Sequence, residues 1–302
     1  MPELPEVETV RLGLQRLLPR RRVDAVAADV PKSFPNAPAD VQHFLIGATV
    51  MQVRRRAKVL MIDLSTEYSL VVHLKMTGQL VFIPKESPAP VAEERFGAGH
   101  PNDSLIGELP DKSTRVTIAF KDGSHLFFND QRKFGWVRLM PTIEIPNIDF
   151  MQRVGPEPLG DDFTADIFIQ RIMRRKNTSV KAAILDQTVL AGVGNIYADE
   201  SLFAAGIHPS SIVKDIPKAR LKKLHTEIKA VLLLSIEKGG STDKNYVNAE
   251  GKRGSYIDFA KVFRRESLPC PVCNREIIKI KVAGRGTHVC TACQKAYKGK
   301  RT

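Results

Sequence analysis

Cysteine is scarce and tightly confined in this 302-residue sequence, because all 4 cysteines fall between Cys270 and Cys293. A disulfide framework would spread its cysteines over the fold, so this distribution disfavours one and favours a reducing cytoplasm. Long apolar runs are also missing: the longest candidate, Val231–Leu234, is far below the roughly 18 residues of a membrane-spanning helix. The acidic N-terminus lacks the apolar core of a secretory signal. A cytoplasmic protein without a membrane partner is therefore predicted.

Acidic residues are too few to balance the basic ones. The sequence has 33 Asp+Glu against 46 Lys+Arg, a net charge of +13 and a pI of about 9.6. Between Lys252 and Thr302 there are 13 Lys+Arg and 3 Asp+Glu. Such a charge favours nucleic acid or an anionic membrane surface as partner, although a basic but inert surface fits the charge alone equally well.

The first half of the chain has the pattern of a mainly β domain behind one helix. Apolar residues recur at helical spacing over Pro5–Leu18. Tyr68–Leu74 is an apolar run, and Thr114–Phe120 alternates before a Gly-containing turn and a return through His125–Phe128, which indicates a β-hairpin. Pro84–Asp111 is rich in Pro, Gly, Glu and Ala and predicts a long surface loop. A β-sandwich with an N-terminal helix is therefore predicted.

The second half predicts helices followed by a small cysteine module. The predicted helices are Ala165–Met173 capped by Thr164, a helix from Ser179 through Leu185, Asn195–Ala205 closed by Gly206, and a helix from Asp215 to Lys238. The polar segment Ser241–Gly254 predicts a mobile loop. The fold class expected for the whole chain is α+β, with two domains.

The four cysteines form two CxxC pairs separated by 16 residues. The ligands are Cys270, Cys273, Cys290 and Cys293. Four thiolates at this spacing predict a closed tetrahedral site for one structural Zn²⁺, with iron or an empty site as the alternatives. Lys279, Lys281 and Arg285 lie between the pairs and suit either a nucleic-acid contact or a solvated hairpin edge.

Pro2 stands directly before the predicted first helix. A proline there ordinarily does no more than help the helix begin. If Met1 is removed, however, Pro2 carries a free secondary amine, and an α-amino group has a pKa near about 8. The helix dipole disfavours its protonated form, while Glu3 and Glu6 favour it. Such an amine can attack a sugar C1′ as lysine does in Schiff-base enzymes.

Several motifs resemble one enzyme family when they are taken together and in order. They are Met1–Val10, His73–Gly78, Asn129–Gly135, Gly155–Leu159, Ala191–Glu200 and Gly284–His288 within the cysteine hairpin. In this set the chain resembles the formamidopyrimidine-DNA glycosylases over nearly its whole length. The resemblance implies a bifunctional DNA glycosylase and AP lyase of base excision repair. Such an enzyme removes 8-oxoguanine and formamidopyrimidines and nicks the strand by β,δ-elimination.

The resemblance assigns four catalytic residues. It makes Pro2 the nucleophile and Glu3 the proton donor that helps to expel the base and open the sugar. Lys58 matches the lysine of β-elimination, and otherwise is a surface cation at a strand edge. Arg285 matches the arginine of δ-elimination, although a guanidinium with a pKa above about 12 is a poor acid and suits a phosphate contact equally well.

The resemblance also assigns residues that handle DNA. A flipped base leaves a gap that something must fill. The residues implied for this are Met76, Arg132 and Phe134, with Arg132 donating to the orphaned partner base. Phosphate contacts are implied for His73, Lys176, Lys181 and Asn195. Taken alone, Met76 suits a core position and Asn195 an ordinary helix N-cap.

The resemblance further implies an organisation along the chain. It places a catalytic β-sandwich at 1–140, a linker at 141–154, a helix–two-turn–helix domain at 155–265 and a four-cysteine zinc finger at 266–302. Double-stranded DNA with a damaged base is the expected partner, lying in a basic cleft of a monomer. The resemblance thereby implies a bacterial cytoplasmic enzyme that associates with the nucleoid through DNA binding.

Two departures and three alternatives stay open. Ser113 stands where the family often has a DNA-contacting histidine, and Ser241–Tyr256, which covers the flipped base in the family, matches only loosely. The alternatives are an endonuclease VIII-like glycosylase for oxidised pyrimidines, a non-catalytic DNA-binding protein and a zinc-ribbon RNA-binding or ribosomal factor. Pro2, Glu3 and Lys58 argue against the non-catalytic protein, and the zinc-ribbon factor leaves the N-terminal motif unexplained.

Overall fold

The computed structural model describes residues 2–85, 95–100, 102–241 and 256–298. The chain divides into two units. The first comprises Met1–Gln152 with Lys238–Ser255, and the second comprises Arg153–Glu237 with Tyr256–Thr302. The chain thus leaves the second unit after Glu237 and returns to it at Tyr256.

Two antiparallel sheets form the first unit. Their strands are β1 (Val23–Ala28), β2 (Val50–Arg56), β3 (Val59–Leu64), β4 (Tyr68–His73), β5 (Gly78–Ile83), β6 (Phe96–Gly99), β7 (Thr114–Phe120), β8 (His125–Asp130) and β9 (Trp136–Pro141). One sheet has the order β1-β7-β8-β5-β6 and the other β2-β3-β4-β9. Ile62 and Val72 of one sheet share a core with Leu80 and Phe128 of the other. The predicted β-sandwich and its β7–β8 hairpin are confirmed.

Helix α1 (Leu4–Leu17) closes this core at the N-terminus. It begins one residue before the predicted start, with Pro5 in its first turn, where a missing N–H leaves no helical bond unmade. Val7, Val10 and Leu14 lie on one face and are at most 1% exposed. Burying each such side chain contributes about 1.5–3 kcal/mol, so packing rather than propensity holds the helix.

The predicted loop Pro84–Asp111 is wrong in one part, because Phe96–Gly99 forms the edge strand β6 against β5. Phe96 is buried, and its ring lies so close to Gly13 of α1 that a Cβ there would sit 2.1 Å from the ring. Only glycine at this position of α1 leaves room for the ring. The Gly-rich strand is thus made by packing and not by β-propensity.

Short helices complete the first unit and lead to the second. They are α2 (Pro38–Asp40), the π-turn Val41–Leu45, the 3-10 turns Asp103–Leu105 and Thr142–Asn147, and α3 (Asp149–Arg153). Ile145 packs with Val59, Met61 and Val71 on the outer face of the four-stranded sheet. The stretch 141–154 therefore covers apolar surface that the sheet would otherwise expose.

Helices build the core of the second unit. They are α4 (Ala165–Ile172), α5 (Val180–Leu185), α6 (Asn195–Ala205) and α7 (Lys218–Glu237), with 3-10 turns at Met173–Arg175, Val213–Asp215 and Tyr256–Phe259. The predicted caps at Thr164, Ser179 and Gly206 are confirmed, whereas α7 begins at Lys218 and not at the predicted Asp215, which ends a 3-10 turn. The hydroxyls of Thr164 and Ser179 accept from backbone N–H groups of α4 and α5, and Gly206 ends α6 with φ +70°.

The cysteine module is a hairpin of β10 (Ile278–Val282) and β11 (Arg285–Val289). A carboxylate of α6 holds the chain that leads into it. Glu200 accepts the backbone N–H groups of Lys261, Val262 and Phe263 at 2.8–2.9 Å. Among the described residues, the helices are all too short or too polar to cross a membrane.

Candidate active site and nucleic-acid interface

Pro2 and Glu3 lie buried at the N-terminal end of α1. Glu3 has extended backbone and precedes the first helical residue. Its backbone N–H donates to a carboxylate oxygen of Glu6 at 2.7 Å, which fixes the direction in which the chain enters the helix. The predicted nucleophile and proton donor are therefore neighbours at the positive end of a helix dipole.

Glu6 also holds a segment from much later in the chain. Its other carboxylate oxygen accepts the backbone N–H of Ser241 at 2.7 Å. Gly240, with φ +87°, passes so close that an added Cβ would lie 3.2 Å from the Glu6 side chain. Ser241 begins the predicted mobile loop Ser241–Gly254, and residues 242–254 of this loop lie outside the described ones. The sequence predicted only an electrostatic effect of Glu6 on Pro2, whereas in the structure Glu3 and Glu6 form a capping box.

Lys58 lies in the tight turn between β2 and β3, and this turn is tied to α1. The guanidinium of Arg55 donates to Glu8 of α1 at 2.7 Å and to the carbonyl of Ala57 at 2.9 Å. Burial alone would raise the pKa of Glu8, but hydrogen bonds from Arg11 and Arg55 hold it below its usual value. Because Lys58 itself is only 9% exposed, its position is fixed by this packing and it is not a loose surface cation.

His73 ends β4 opposite Val59, the residue after Lys58. Its Nδ1 accepts the backbone N–H of Lys75 at 3.0 Å. Burial, together with the charges of Lys75 and Lys58, lowers the pKa of His73 to about 3. The ring is therefore neutral at physiological pH, with its proton on Nε2, and can donate that proton to a phosphate oxygen.

The lowered pKa of His73 predicts a pH dependence of stability. The pKa of His73 is about 3 in the folded protein and about 6.5 in the unfolded one. The unfolded state therefore binds a proton first as the pH falls, so the free energy of unfolding is highest above pH 6.5 and decreases below it. We expect the wild-type protein to lose about 2 kcal/mol more than His73→Gln between pH 7 and pH 5. Urea unfolding followed by the fluorescence of Trp136, whose ring centroid lies 5.9 Å from that of His73, measures it. Equal losses in both proteins would contradict the expectation.

The three predicted wedge residues come together, although they lie in two turns far apart in sequence. A guanidinium nitrogen of Arg132 lies 3.1 Å from the sulfur of Met76. The same guanidinium stacks over the ring of Phe134, 5.0 Å from its centroid. Met76 is 41% and Phe134 47% exposed, so neither is a core residue. Met76, Arg132 and Phe134 together form an exposed cluster of two apolar side chains and one cation, which we call the wedge.

In the second unit, Asn195 contacts the backbone of the residue that follows Arg285. The side-chain amide of Asn195 donates to the carbonyl of Gly286 at 3.1 Å. Asn195 does not act as an N-cap, because Gly194 occupies that position. Arg285 is exposed at the start of β11, and Lys176 is exposed at the end of the turn that follows α4. These three side chains offer donors to phosphate oxygens.

Lys181, for which a phosphate contact was predicted, lies buried in an ion pair in this structure. Its side chain is 0% exposed and its ammonium donates to Asp199 at 2.6 Å and to Thr287 at 2.7 Å. The second carboxylate oxygen of Asp199 accepts the backbone N–H of His288 at 2.9 Å. In this structure Lys181 therefore connects α5 and α6 to the cysteine hairpin.

Ser113 does not replace the histidine that the family often has before β7. It is buried, its backbone N–H and hydroxyl each donate to Asp111 at 2.7 Å, and its oxygen lies 3.0 Å from that of Ser104. These internal bonds use up its hydrogen-bonding groups. In this structure Ser113 is thus engaged within the first unit.

The sulfur atoms of the four cysteines converge. All four lie within 4.8 Å of one another, and two pairs are separated by 3.8 Å (Cys270 to Cys293) and 3.4 Å (Cys273 to Cys290). A zinc ion bound tetrahedrally at about 2.3 Å needs sulfur separations of about 3.8 Å. The four thiolates fit one structural Zn²⁺ with no open coordination position.

Sequence models of known families match the chain in three places. The formamidopyrimidine-DNA glycosylase N-terminal domain matches residues 1–137, and the H2TH domain of the same family matches residues 154–246. A zinc finger found in FPG and IleRS matches residues 267–296.

Individual relatives match over nearly the whole chain. A formamidopyrimidine-DNA glycosylase of Streptococcus pyogenes serotype M6 is 39% identical over 298 residues, covering 98% of this chain and 99% of the relative. One from Herpetosiphon aurantiacus is 40% identical over 296 residues, covering 97% and 100%. A solved structure of the Lactococcus lactis enzyme with abasic-site DNA superposes with a TM-score of 0.82 at 30% identity, covering 97% and 99%. A point mutant of that enzyme with Fapy-dG DNA gives 0.83 at 30% identity, covering 97% and 100%.

Proposed function

Because the chain belongs to the formamidopyrimidine-DNA glycosylase family and is thereby a DNA glycosylase of base excision repair, we propose that it excises oxidised purines and nicks the strand through Pro2. The observation that carries the proposal is the placement of Pro2 and Glu3. They lie side by side, buried at the N-terminus of α1, with Glu6 fixing the backbone between them. The Lactococcus lactis relative has been solved with abasic-site DNA and with Fapy-dG DNA, which are a product and a substrate of such an enzyme.

The proposed reaction begins after Met1 has been removed. The neutral amine of Pro2 attacks C1′, forming an N–C1′ bond as the bond from C1′ to the base breaks. The leaving base takes the bonding electron pair and the proton that the Pro2 nitrogen releases, so that this nitrogen regains its lone pair. Glu3 supplies a proton to the ring oxygen as the sugar opens, and the nitrogen lone pair forms the iminium. Loss of the C2′ proton then expels the 3′ phosphate, with Lys58 as the proposed base.

δ-Elimination at the 5′ phosphate is proposed for Arg285, which lies in the second unit. Because a guanidinium is a poor proton donor, its contribution is best described as charge stabilisation of the departing phosphate. The wedge fills the gap that the extruded base leaves, and Arg132 donates to the orphaned base. His73, Lys176 and Asn195 hold phosphates on the two units.

We also propose a domain organisation, a partner and a location for the enzyme. The catalytic domain is assigned to 1–140, the linker to 141–154, the helix–two-turn–helix domain to 155–265 and the zinc finger to 266–302. Duplex DNA with a damaged base is the partner, and the enzyme acts as a monomer in the cytoplasm. The zinc finger supplies shape and cations only, because its four thiolates leave no position for a substrate.

Borohydride trapping tests the proposal on a duplex with one 8-oxoguanine opposite cytosine. We expect a covalent adduct that mass spectrometry maps to Pro2. Retention of Met1, which turns the Pro2 nitrogen into a non-nucleophilic amide, should lower the adduct yield by more than about 1000-fold, and Pro2→Gly, which leaves a primary amine in place of the secondary one, should lower it as well. The same duplex with an oxidised pyrimidine in place of 8-oxoguanine tests the endonuclease VIII-like alternative, which predicts the adduct on that substrate.

Pro5→Ala is the matched control, because it removes the neighbouring proline from the first turn of the same helix. Alanine is a good helix former, so the yield should stay within about 3-fold of the wild type. An adduct at any residue other than Pro2, or no adduct from zinc-loaded protein lacking Met1, would rule the proposal out.

A further inference from the structure

The wedge is built on two strained turns. Met76 follows Lys75, and Phe134 follows Lys133, and these two lysines have φ of +52° and +57°. Left-handed backbone is unfavourable for a residue with a side chain and persists only where the surroundings enforce it. Something must therefore hold both turns.

That element is the carboxylate of Asp130, which is fully buried at the end of β8. One of its oxygens accepts the hydroxyl of Thr77, in the first turn, and the backbone N–H of Arg132 at 3.2 Å, in the second. The other oxygen accepts the backbone N–H of Gly135 at 2.6 Å. The hydroxyl oxygen of Thr77 also accepts the Arg132 N–H at 3.1 Å. One side chain thus binds the two turns to each other.

The chemistry of these bonds requires a carboxylate. All three partners donate to it, and a buried charge is tolerable only where donors surround it. An asparagine would keep one oxygen for Thr77 and Arg132 but would aim its NH₂ group at the N–H of Gly135. The turn cannot move to relieve this, because the surroundings of Gly135 are so close that a Cβ there would lie 2.7 Å from the Phe128 ring.

We propose that Asp130 is a positioning residue that fixes Met76, Arg132 and Phe134 as one rigid wedge. It touches none of the reacting atoms and acts through the backbone of the two turns. The inference rests on the proposed role of the wedge in filling the gap left by the flipped base. It therefore concerns steps that need an intact duplex, and not the chemistry of Pro2.

Asp130→Asn and Thr77→Val test it on two substrates. The first is a duplex with 8-oxoguanine opposite cytosine, on which single-turnover excision is measured. The second is a single-stranded oligonucleotide with a preformed abasic site, on which borohydride trapping is measured and no base need be displaced. We expect both variants to lose about 10- to 100-fold in duplex excision, because Asp130→Asn leaves the N–H of Gly135 without an acceptor and Thr77→Val removes a hydroxyl that donates to the buried carboxylate. Trapping on the single strand should change less than about 3-fold.

Asp122→Asn is the matched control, because Asp122 accepts backbone and hydroxyl bonds in the turn at the other end of the same hairpin. It should leave both rates as in the wild type. Equal losses on the two substrates would assign Asp130 a general structural role and overturn the inference, as would no loss on either. If the wild-type protein itself neither excises nor traps, the proposed function fails and not the role of Asp130.

Discussion

Removal of the metal is expected to unfold the cysteine hairpin while leaving the β-sandwich folded. The module between Cys270 and Cys293 contributes only a few buried apolar residues, such as Ile277, which pack with Phe203 and Val262 outside the module. A segment of this size does not bury enough surface to fold alone, and structural zinc supplies about 10–16 kcal/mol in comparable fingers. Losing the ion therefore removes most of the free energy that holds β10 and β11.

The two parts of this result can be measured separately. The sequence has 1 tryptophan, Trp136, which begins β9 in the first unit. After chelation or in Cys290→Ala, hydrogen exchange should show protection lost over β10 and β11, whereas the emission of Trp136 should not change. Covalent trapping on the 8-oxoguanine duplex should also be lost after metal removal, because Arg285 and the hairpin cations lose their positions.

Val272→Ala is the control for Cys290→Ala, because Val272 lies in a CxxC turn but is 73% exposed. It should still bind one zinc ion per chain and keep the exchange protection of the hairpin. Protection that survived in the metal-free protein would mean that Asp199 and Glu200 suffice to order the module, and would contradict the expected role of the ion.

The parts of the fold that the sequence predicted correctly are those set by local chemistry. Thr164 and Ser179 cap helices because a hydroxyl before a helix satisfies free N–H groups, and Gly206 ends one because it adopts positive φ without strain. Strand β6 was missed because nothing local favours it. Phe96 enters a space that Gly13 leaves open, and that fit is visible only after folding.

The same distinction between local chemistry and packing after folding explains which site residues the sequence predicted correctly. Met76, Arg132 and Phe134 were grouped by resemblance, and the structure brings their side chains together. The role of Asp130 could not be predicted, because an aspartate at a strand end is ordinarily a turn residue. Lys181 was assigned to a phosphate by the same resemblance, and its burial could not be read from the sequence, where most lysines are exposed. Only the fold brings it to its partner Asp199.

Breaking that buried ion pair is the second large effect. The ammonium of Lys181 and the carboxylate of Asp199 are 2.6 Å apart, and both side chains are 0% exposed. Asp199→Ala leaves a buried ammonium without its carboxylate and also strands the backbone N–H of His288. Removing one member of a buried pair costs about 3–5 kcal/mol. We expect a loss of that size in the free energy of unfolding of the second unit, measured by circular dichroism of its helices.

Asp166→Ala is the control, because Asp166 and Lys218 form an exposed pair at 3.9 Å with side chains 77% and 68% exposed. Exposed pairs contribute at most about 1 kcal/mol, so this variant should unfold close to the wild type. A loss for Asp199→Ala no larger than for Asp166→Ala would mean that water reaches Lys181.

The buried pair also makes a prediction about DNA. A lysine that contacts a phosphate releases a counterion, so its loss should reduce the slope of log K against log salt by about 0.9. Lys181→Met should leave that slope unchanged, because its ammonium already lies between Asp199 and Thr287. Lys176→Met, at an exposed lysine, should reduce it by about 0.9. If the slope fell for Lys181→Met, the lysine would have to leave its ion pair when DNA binds. The cost of breaking that pair would then be part of the affinity.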